Sequence, residues 1–452
     1  MTSDSAPDAG GDTGWLARQF KLAERGTTAR TETLAGATTF LTMAYIILVN
    51  PVILGQAGMP VAAVAAATCL AAAIGSILMG LFANVPIALA PGMGINAYFT
   101  FTVVLQMGVP WPVALACVFL SGVAFLVLTL TGARQLIIAV MPPSLLAAVA
   151  GGIGLFLGFI GLKEAGLVVA NPATFVALGD LTAPGPALAL LGLAIIAVLS
   201  AWKVRAAILI GIVATSIVAA LTGQVSASTQ PYSLTAIADT AFKLDFAGVF
   251  GLSGQQGLGL IEILFVFLFV DLFDNVGTLV AVTKRAKLMD AAGNIPGLNR
   301  ILTVDAVAAM AGAVAGTSTV TSYVESAAGV QAGGRTGLTA LVTGLLFLAA
   351  MLVAPYAGLV PLAAAAPALI VVGALMLAPL AEVDWDDALT AIPAFLTVIL
   401  IPLTFSIANG LAFGLVAHAL LKLGRGQASA KDWFLFTLGA LFVARFVWMS
   451  AA

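Results

Sequence analysis

The sequence predicts an all-α polytopic membrane protein whose fourteen spans form two inverted seven-span repeats. Three observations carry that expectation. The 452 residues are 61% apolar and only 8% charged, with a mean hydropathy of +1.12, which excludes an ordinary soluble globule of this length. Apolar runs of bilayer length recur from residue 33 to residue 423. A shift of 225 residues, about half the chain, lays FLTMAYIILVNPVIL (40–54) on FVFLFVDLFDNVGTL (265–279) and INAYF (95–99) on VTSYV (320–324), pairing Asn50 with Asn275 and Tyr98 with Tyr323. The net charge of −2 gives no reason to expect a nucleic-acid partner.

Residues 1–30 are polar, lack the apolar core of a signal peptide and read as a cytoplasmic tail, in which Trp15, Leu16 and Phe20 could lie on the membrane surface. Long apolar segments follow near 33–55, 61–85, 111–132, 144–163, 185–201, 206–222, 258–280, 302–315, 337–354, 388–405 and 408–423. Three shorter ones lie near 94–106, 322–334 and 368–380. These divide the chain into a first repeat (31–222), an external connection (223–257), a second repeat (258–424) and a C-terminal segment (425–452). The run 433–449 suits a fifteenth span or an interfacial helix equally. With the N-terminus inside, all but three of the 18 Lys and Arg fall on that side, the exceptions being Lys163, Lys243 and Arg445. Trp111, Trp202, Trp433 and Trp448 mark segment ends as an aromatic belt does. Cys69 and Cys117 sit inside apolar runs and read as packing residues, and His418 as a helix-interface residue, so no metal or cofactor is expected.

Two short spans, the third and the tenth, begin in irregular stretches, APGMGINAYF (90–99) and GTSTVTSYVES (316–326). Broken spans at membrane depth are tolerated where they line a cavity or are buried in protein, and paired broken spans in inverted repeats point to a secondary transporter with a midplane site. The polar residues agree. On the eighth span Asp271, Asp274, Asn275 and Thr278 stand at i, i+3, i+4 and i+7, on one face that cannot look at lipid. In the tenth, β-branched residues 317–321 have strand character and lead to a helix expected near Ser322, which puts Ser322, Glu325 and Ser326 on one face; Ser322-x-x-Glu325 also fits a capping box. In the third, Asn96 offers an amide, and Tyr98 and Phe99 offer rings that either stack on a ligand or simply pack. Asp305 reads as structural. Three carboxylates at this depth suit the N–H groups of a neutral, flat, polar ligand, and one of them can take up a proton.

The phrases TTFLTMAYIILVNP (38–51), APGMGINAYF (90–99), FVDLFDNVGTL (269–279) and GTSTVTSYVESAAGVQAGGRTGLTA (316–340) resemble the AzgA-like adenine/guanine/hypoxanthine permeases, within the nucleobase:cation symporter-2 family that also holds xanthine and uracil permeases. The resemblance runs from about residue 25 to 450. It implies a core domain carrying the site, a gate domain used for homodimerisation, an elevator-like motion, and a place in the bacterial inner membrane. It further implies that a purine is held by Asp274, Glu325 and Asn96, with Asp271 one turn away, and that Asp271, Asp274 or Glu325 carries the proton. Uracil-type relatives have a histidine four residues after the eighth-span acid. Thr278 stands there, which favours the purine branch. Carboxylates and hydroxyls suit H⁺ or Na⁺, and xanthine/uracil transport and anion transport on the same fold are the alternatives. An intramembrane aspartyl protease is the enzyme alternative; it would place its aspartates on separate spans, whereas here both are on one.

Overall fold

The computed structural model describes residues 14–132, 142–224, 234–251, 255–290, 295–429 and 432–451. Arg134 and Lys431, and the side chains of Asp274, Arg445 and Trp448, lie outside the described residues. Every apolar segment expected from the sequence is built into the fold. The first span, Ala29–Gln56, is two helices that meet at Ala44–Tyr45, and the second, Val61–Leu78, widens into a π-helical turn at Met79–Ala83. The fourth to ninth spans are Trp111–Thr131, Pro143–Glu164, Pro184–Ala201, Ala207–Leu221, Gln255–Arg285 and Leu298–Ala315. The eleventh to fourteenth are Gly337–Ala350, Leu362–Leu375, Ala388–Thr404 and Ile407–Gly424. Prolines open several of them: Pro112, Pro143 and Pro184 occupy the first helical turn, where a missing N–H costs no hydrogen bond.

The third and tenth spans are half strand and half helix. Strand β1 (Leu89–Pro91) runs into the helix Met93–Ala97 and a π-helical stretch Tyr98–Gln106, and β4 (Val320–Ser322) leads to the helix Ser326–Gln331. β1 and β4 pair antiparallel, Leu89 with Ser322 and Pro91 with Val320. The tenth-span helix starts four residues later than expected, because Ser322 is spent on the strand and Glu325 is the residue before the first helical turn. A hairpin of β2 (Val168–Asn171) and β3 (Phe175–Leu178) between the fifth and sixth spans had no signal in the hydropathy pattern.

The halves correspond, but not at one shift. The first and eighth spans begin 226 residues apart (29 and 255), the second and ninth 237 (61 and 298), and the paired strands 231 (89 and 320). The connection after the eighth span is longer than Ala57–Pro60, so the offset grows. The equation of Tyr98 with Tyr323 is therefore corrected: Tyr98 follows its half-helix and Tyr323 precedes its own.

The spans segregate into two groups. Spans one to four pack with eight to eleven, and spans five to seven pack with twelve to fourteen, with sparser contact between the groups. Within the second group Gly373 lies so close to Gly154 that a Cβ would stand 2.4 Å from the Gly154 carbonyl oxygen, the small-residue contact that lets membrane helices touch backbone to backbone. Leu130, Leu221, Leu375 and Leu403 point outward, as lipid-facing residues do. The C-terminal helix Trp433–Ala451 runs back along the fourteenth span, from the Lys422–Asp432 ion pair (2.8 Å) to the Phe413–Phe446 ring contact (5.1 Å).

Candidate functional site

The two broken spans meet backbone to backbone. Beyond the strand pairs, Gly92 N–H donates to the Thr319 carbonyl and Tyr323 N–H to the Ala88 carbonyl, both at 3.0 Å. The Ser326 hydroxyl accepts from Ala88 N–H (3.0 Å), and the Ser76 hydroxyl accepts from Leu89 N–H (2.9 Å). Irregular backbone is thus satisfied at membrane depth, as burial there requires. Gly94 allows the third span to approach the fifth: a Cβ on it would meet Ile153 Cγ2 at 2.4 Å.

Beside this crossing lies a small cleft. Its polar walls are Tyr45 from the first span, Thr278 from the eighth, and Ser322, Tyr323 and Glu325 from the tenth; Gly92, Met93 and Gly94 form one side, and Val372 and Met376 of the twelfth span another. It is built from both helix groups. The buried Tyr45 hydroxyl donates to Glu325 Oε1 at 2.7 Å. Ser322 is buried, and among the described residues its hydroxyl has no hydrogen-bond partner. The capping box is not formed: Glu325 precedes the helix and makes no side-chain cap, and Ser322 lies in the strand.

On the eighth span Asp271, Asn275 and Thr278 are all buried on one stripe, and among the described residues neither amide atom of Asn275 finds a partner. Asp274 belongs to that helix; its side chain lies outside the described residues. Glu325, Ser322 and Thr278 are therefore brought together in the cleft, with Asp271 and Asn275 on the same helix as Thr278. Three expected site residues are placed elsewhere. Asn96 lies fully buried under the crossing, donating to Asn50 Oδ1 and accepting from the Ser318 hydroxyl, while Asn50 donates to Thr68 (2.7 Å) and Thr317 (2.9 Å). Tyr98 and Phe99 turn their rings to Phe267 of the eighth span, with centroids 5.4 and 6.5 Å away, so they pack the third span on the eighth and do not line the cleft. Asp305 is buried on the ninth span. Neither Tyr45 nor Tyr323 is among the site residues expected from the sequence. Each is a tyrosine inside an apolar span, and a phenol there needs a polar partner.

The architecture, a crossing of two half-strand, half-helix spans over a polar cleft, defines a multi-pass membrane transporter of the inverted-repeat fold. The chain belongs to the nucleobase:cation symporter-2 family: residues 30–413 match the model described as "Permease family" that is named for xanthine and uracil permeases. It is 46% identical over 442 residues to the adenine permease AdeP of Escherichia coli strain K12, covering 97% of each chain. It is 42% identical to the guanine/hypoxanthine permease PbuG of Bacillus subtilis strain 168, covering 95% of this chain and 99% of the relative. Among solved structures, the transmembrane domain of the cyanobacterial bicarbonate transporter BicA superposes with a TM-score of 0.64 at 19% identity, over 84% of this chain and 97% of that one. SLC26A9 superposes with a TM-score of 0.63 at 12% identity, over 87% and 65%. At those identities the likeness is one of fold alone. The family is one of permeases, not enzymes.

Proposed function

We propose that the chain imports purine nucleobases by proton symport, moving the group of spans that carries the crossing against the other group in an elevator-like manner. The observation that carries this reading is the cleft itself. It sets a carboxylate, Glu325, and a buried hydroxyl, Ser322, opposite the polar stripe of the eighth span, within a chain akin to adenine and guanine/hypoxanthine permeases. A flat heterocycle with ring and exocyclic N–H donors is matched by carboxylate acceptors. In this reading Glu325 and Asp274 accept those N–H groups, Ser322, Asn275 and Thr278 complete the polar wall, and Asp271 or Asp274 takes up the proton. A charged carboxylate is costly to carry through the barrier, so the neutralised, loaded site is the one that moves. Asn96, with Tyr98 and Phe99, supports the crossing from behind, since its amide is already held by Asn50 and Ser318. The N-terminus is cytoplasmic, and the second helix group, which is farther from the polar stripe, supplies a homodimer interface.

The test is uptake of labelled adenine, guanine, hypoxanthine, xanthine and uracil by a permease-deficient strain, with and without a protonophore and with Na⁺ replaced. Purine accumulation abolished by the protonophore and indifferent to Na⁺ is expected. An Asp274→Asn variant that still concentrates hypoxanthine against a gradient would overturn the role given to Asp274.

A further inference from the structure

Two tyrosines line the cleft, and each gives its hydroxyl hydrogen to another part of the protein. Tyr323 donates to the Pro91 carbonyl, and Tyr45 donates to Glu325 Oε1 at 2.7 Å. The second bond joins a rigid group to a loose one. Tyr45 is 1% exposed and stands where the two helices of the first span meet, so its ring is held by packing. Glu325 is only half-buried and has three side-chain torsions to order. It lies on the turn between β4, which ends at Ser322, and the helix that begins at Ser326, and its side chain makes no capping bond there. Among the described residues no other side chain donates to its carboxylate.

An ionised carboxylate has about four lone-pair sites, so the Tyr45 bond leaves both oxygens able to accept from a ligand. What the bond changes is where those oxygens point. A carboxylate free to rotate must be ordered each time a ligand binds, whereas one already held by a packed neighbour is ordered in advance, and the ligand keeps the difference as affinity. The direction of this effect is set by the two partners: the buried ring cannot follow the glutamate, so the glutamate follows the ring. We infer that Tyr45 is a positioning residue for the substrate, which acts through Glu325 by fixing the tenth-span carboxylate before the purine arrives. The inference rests on the purine reading of the cleft and deepens it.

Tyr45→Phe removes one oxygen atom and keeps the ring that packs the first span. Ile46→Val, which trims one carbon from the fully buried neighbour, disturbs the same packing without touching Glu325 and serves as the control. Two quantities are measured on the purified full-length proteins: the Kd for labelled hypoxanthine, and the infrared band of the Glu325 carboxyl without ligand, located by its loss in Glu325→Gln. Tyr45→Phe is expected to bind hypoxanthine roughly threefold to tenfold more weakly, with the Glu325 band displaced and broadened as the side chain samples several rotamers. Ile46→Val is expected to match wild type in both. An unchanged Kd in Tyr45→Phe overturns the proposal. So does weaker binding with an undisturbed Glu325 band, which would make Tyr45 a direct ligand contact, and so does an equal loss in Ile46→Val, which would report packing alone. Absence of hypoxanthine binding in the wild type overturns the purine reading itself; the ligand-free band still reports whether Tyr45 orders Glu325, so the two failures are distinct.

Discussion

Asn50 supports the site from outside the cleft. Its amide donates to Thr68 and Thr317 and accepts from Asn96, so one side chain joins the first, second, third and tenth parts of the crossing. Asn50→Ala leaves the Asn96 N–H and the Thr317 hydroxyl buried and unpaired, at a cost of about 2 kcal/mol. A lower unfolding temperature in detergent, with purine affinity falling in step, is the expected outcome. At this scale the sequence was legible where chemistry alone decides and illegible where direction does. Glu325, Ser322 and Thr278 could be named because a carboxylate or hydroxyl in an apolar span demands a partner. That Asn96 turns to Asn50 and away from the cleft depends on the strand pairing, which sets how the half-helix is rotated and leaves no trace in residue type or spacing. Tyr45 escaped notice for a similar reason: nothing in TMAYIIL says that its hydroxyl meets a residue 280 positions away.

The spans themselves were the most readable elements, since twenty or so apolar residues announce a helix in a bilayer whatever its neighbours. The broken spans were readable too, through Gly, Pro and β-branched residues, although the tenth begins its helix at Ser326 and not at Ser322. What hydropathy could not show was the packing of connections, such as the one before the thirteenth span. There Asp387 caps the helix by accepting from Leu389 N–H (3.1 Å) and forms an ion pair with Arg425 at the end of the fourteenth span (2.6 Å). The Arg425 guanidinium, through its hydrogen bond, and the Leu389 N–H hold the Asp387 carboxyl below its ordinary range. A depressed carboxylate stabilises the fold above its unfolded pKa, and the contribution is lost as pH falls through the folded value. Arg425→Gln is therefore expected to be slightly less stable than wild type near pH 7, with the difference closing once Asp387 is protonated in acid. Thermal unfolding of both proteins across that range reads it; a gap that persists in acid would assign the loss to something other than the ion pair. The effect will be small, because the pair is partly exposed and screened.

For the molecule as a whole, fold and orientation rested on different signals. The two-group architecture follows from the duplication, yet a single shift of 225 does not describe it, because connections of unequal length let the offset drift between spans. Orientation rests on basic residues gathered on one side. It predicts that a cysteine at the exposed Gln106, at the far end of the third span, reacts with a membrane-impermeant maleimide added to intact cells. One at the exposed Lys203, between the sixth and seventh spans, is expected to react only after permeabilisation. Cys69 and Cys117 are buried and should leave the background low. The reverse labelling pattern would invert the topology.

The pairing of β1 with β4 also sets an order of events during synthesis. Leu89–Pro91 enters the membrane with the first half of the chain, but its partner strand lies 231 residues further on, from 91 to 322. At about 5–20 residues per second the ribosome needs roughly 10–50 s to deliver it. Throughout that interval the third span carries backbone groups that hydrocarbon cannot satisfy. The nascent first repeat must therefore be sheltered by neighbouring spans or by the insertion machinery until the tenth span arrives, and a ribosome that stalls before residue 320 leaves a half-protein whose central strand has nothing to pair with.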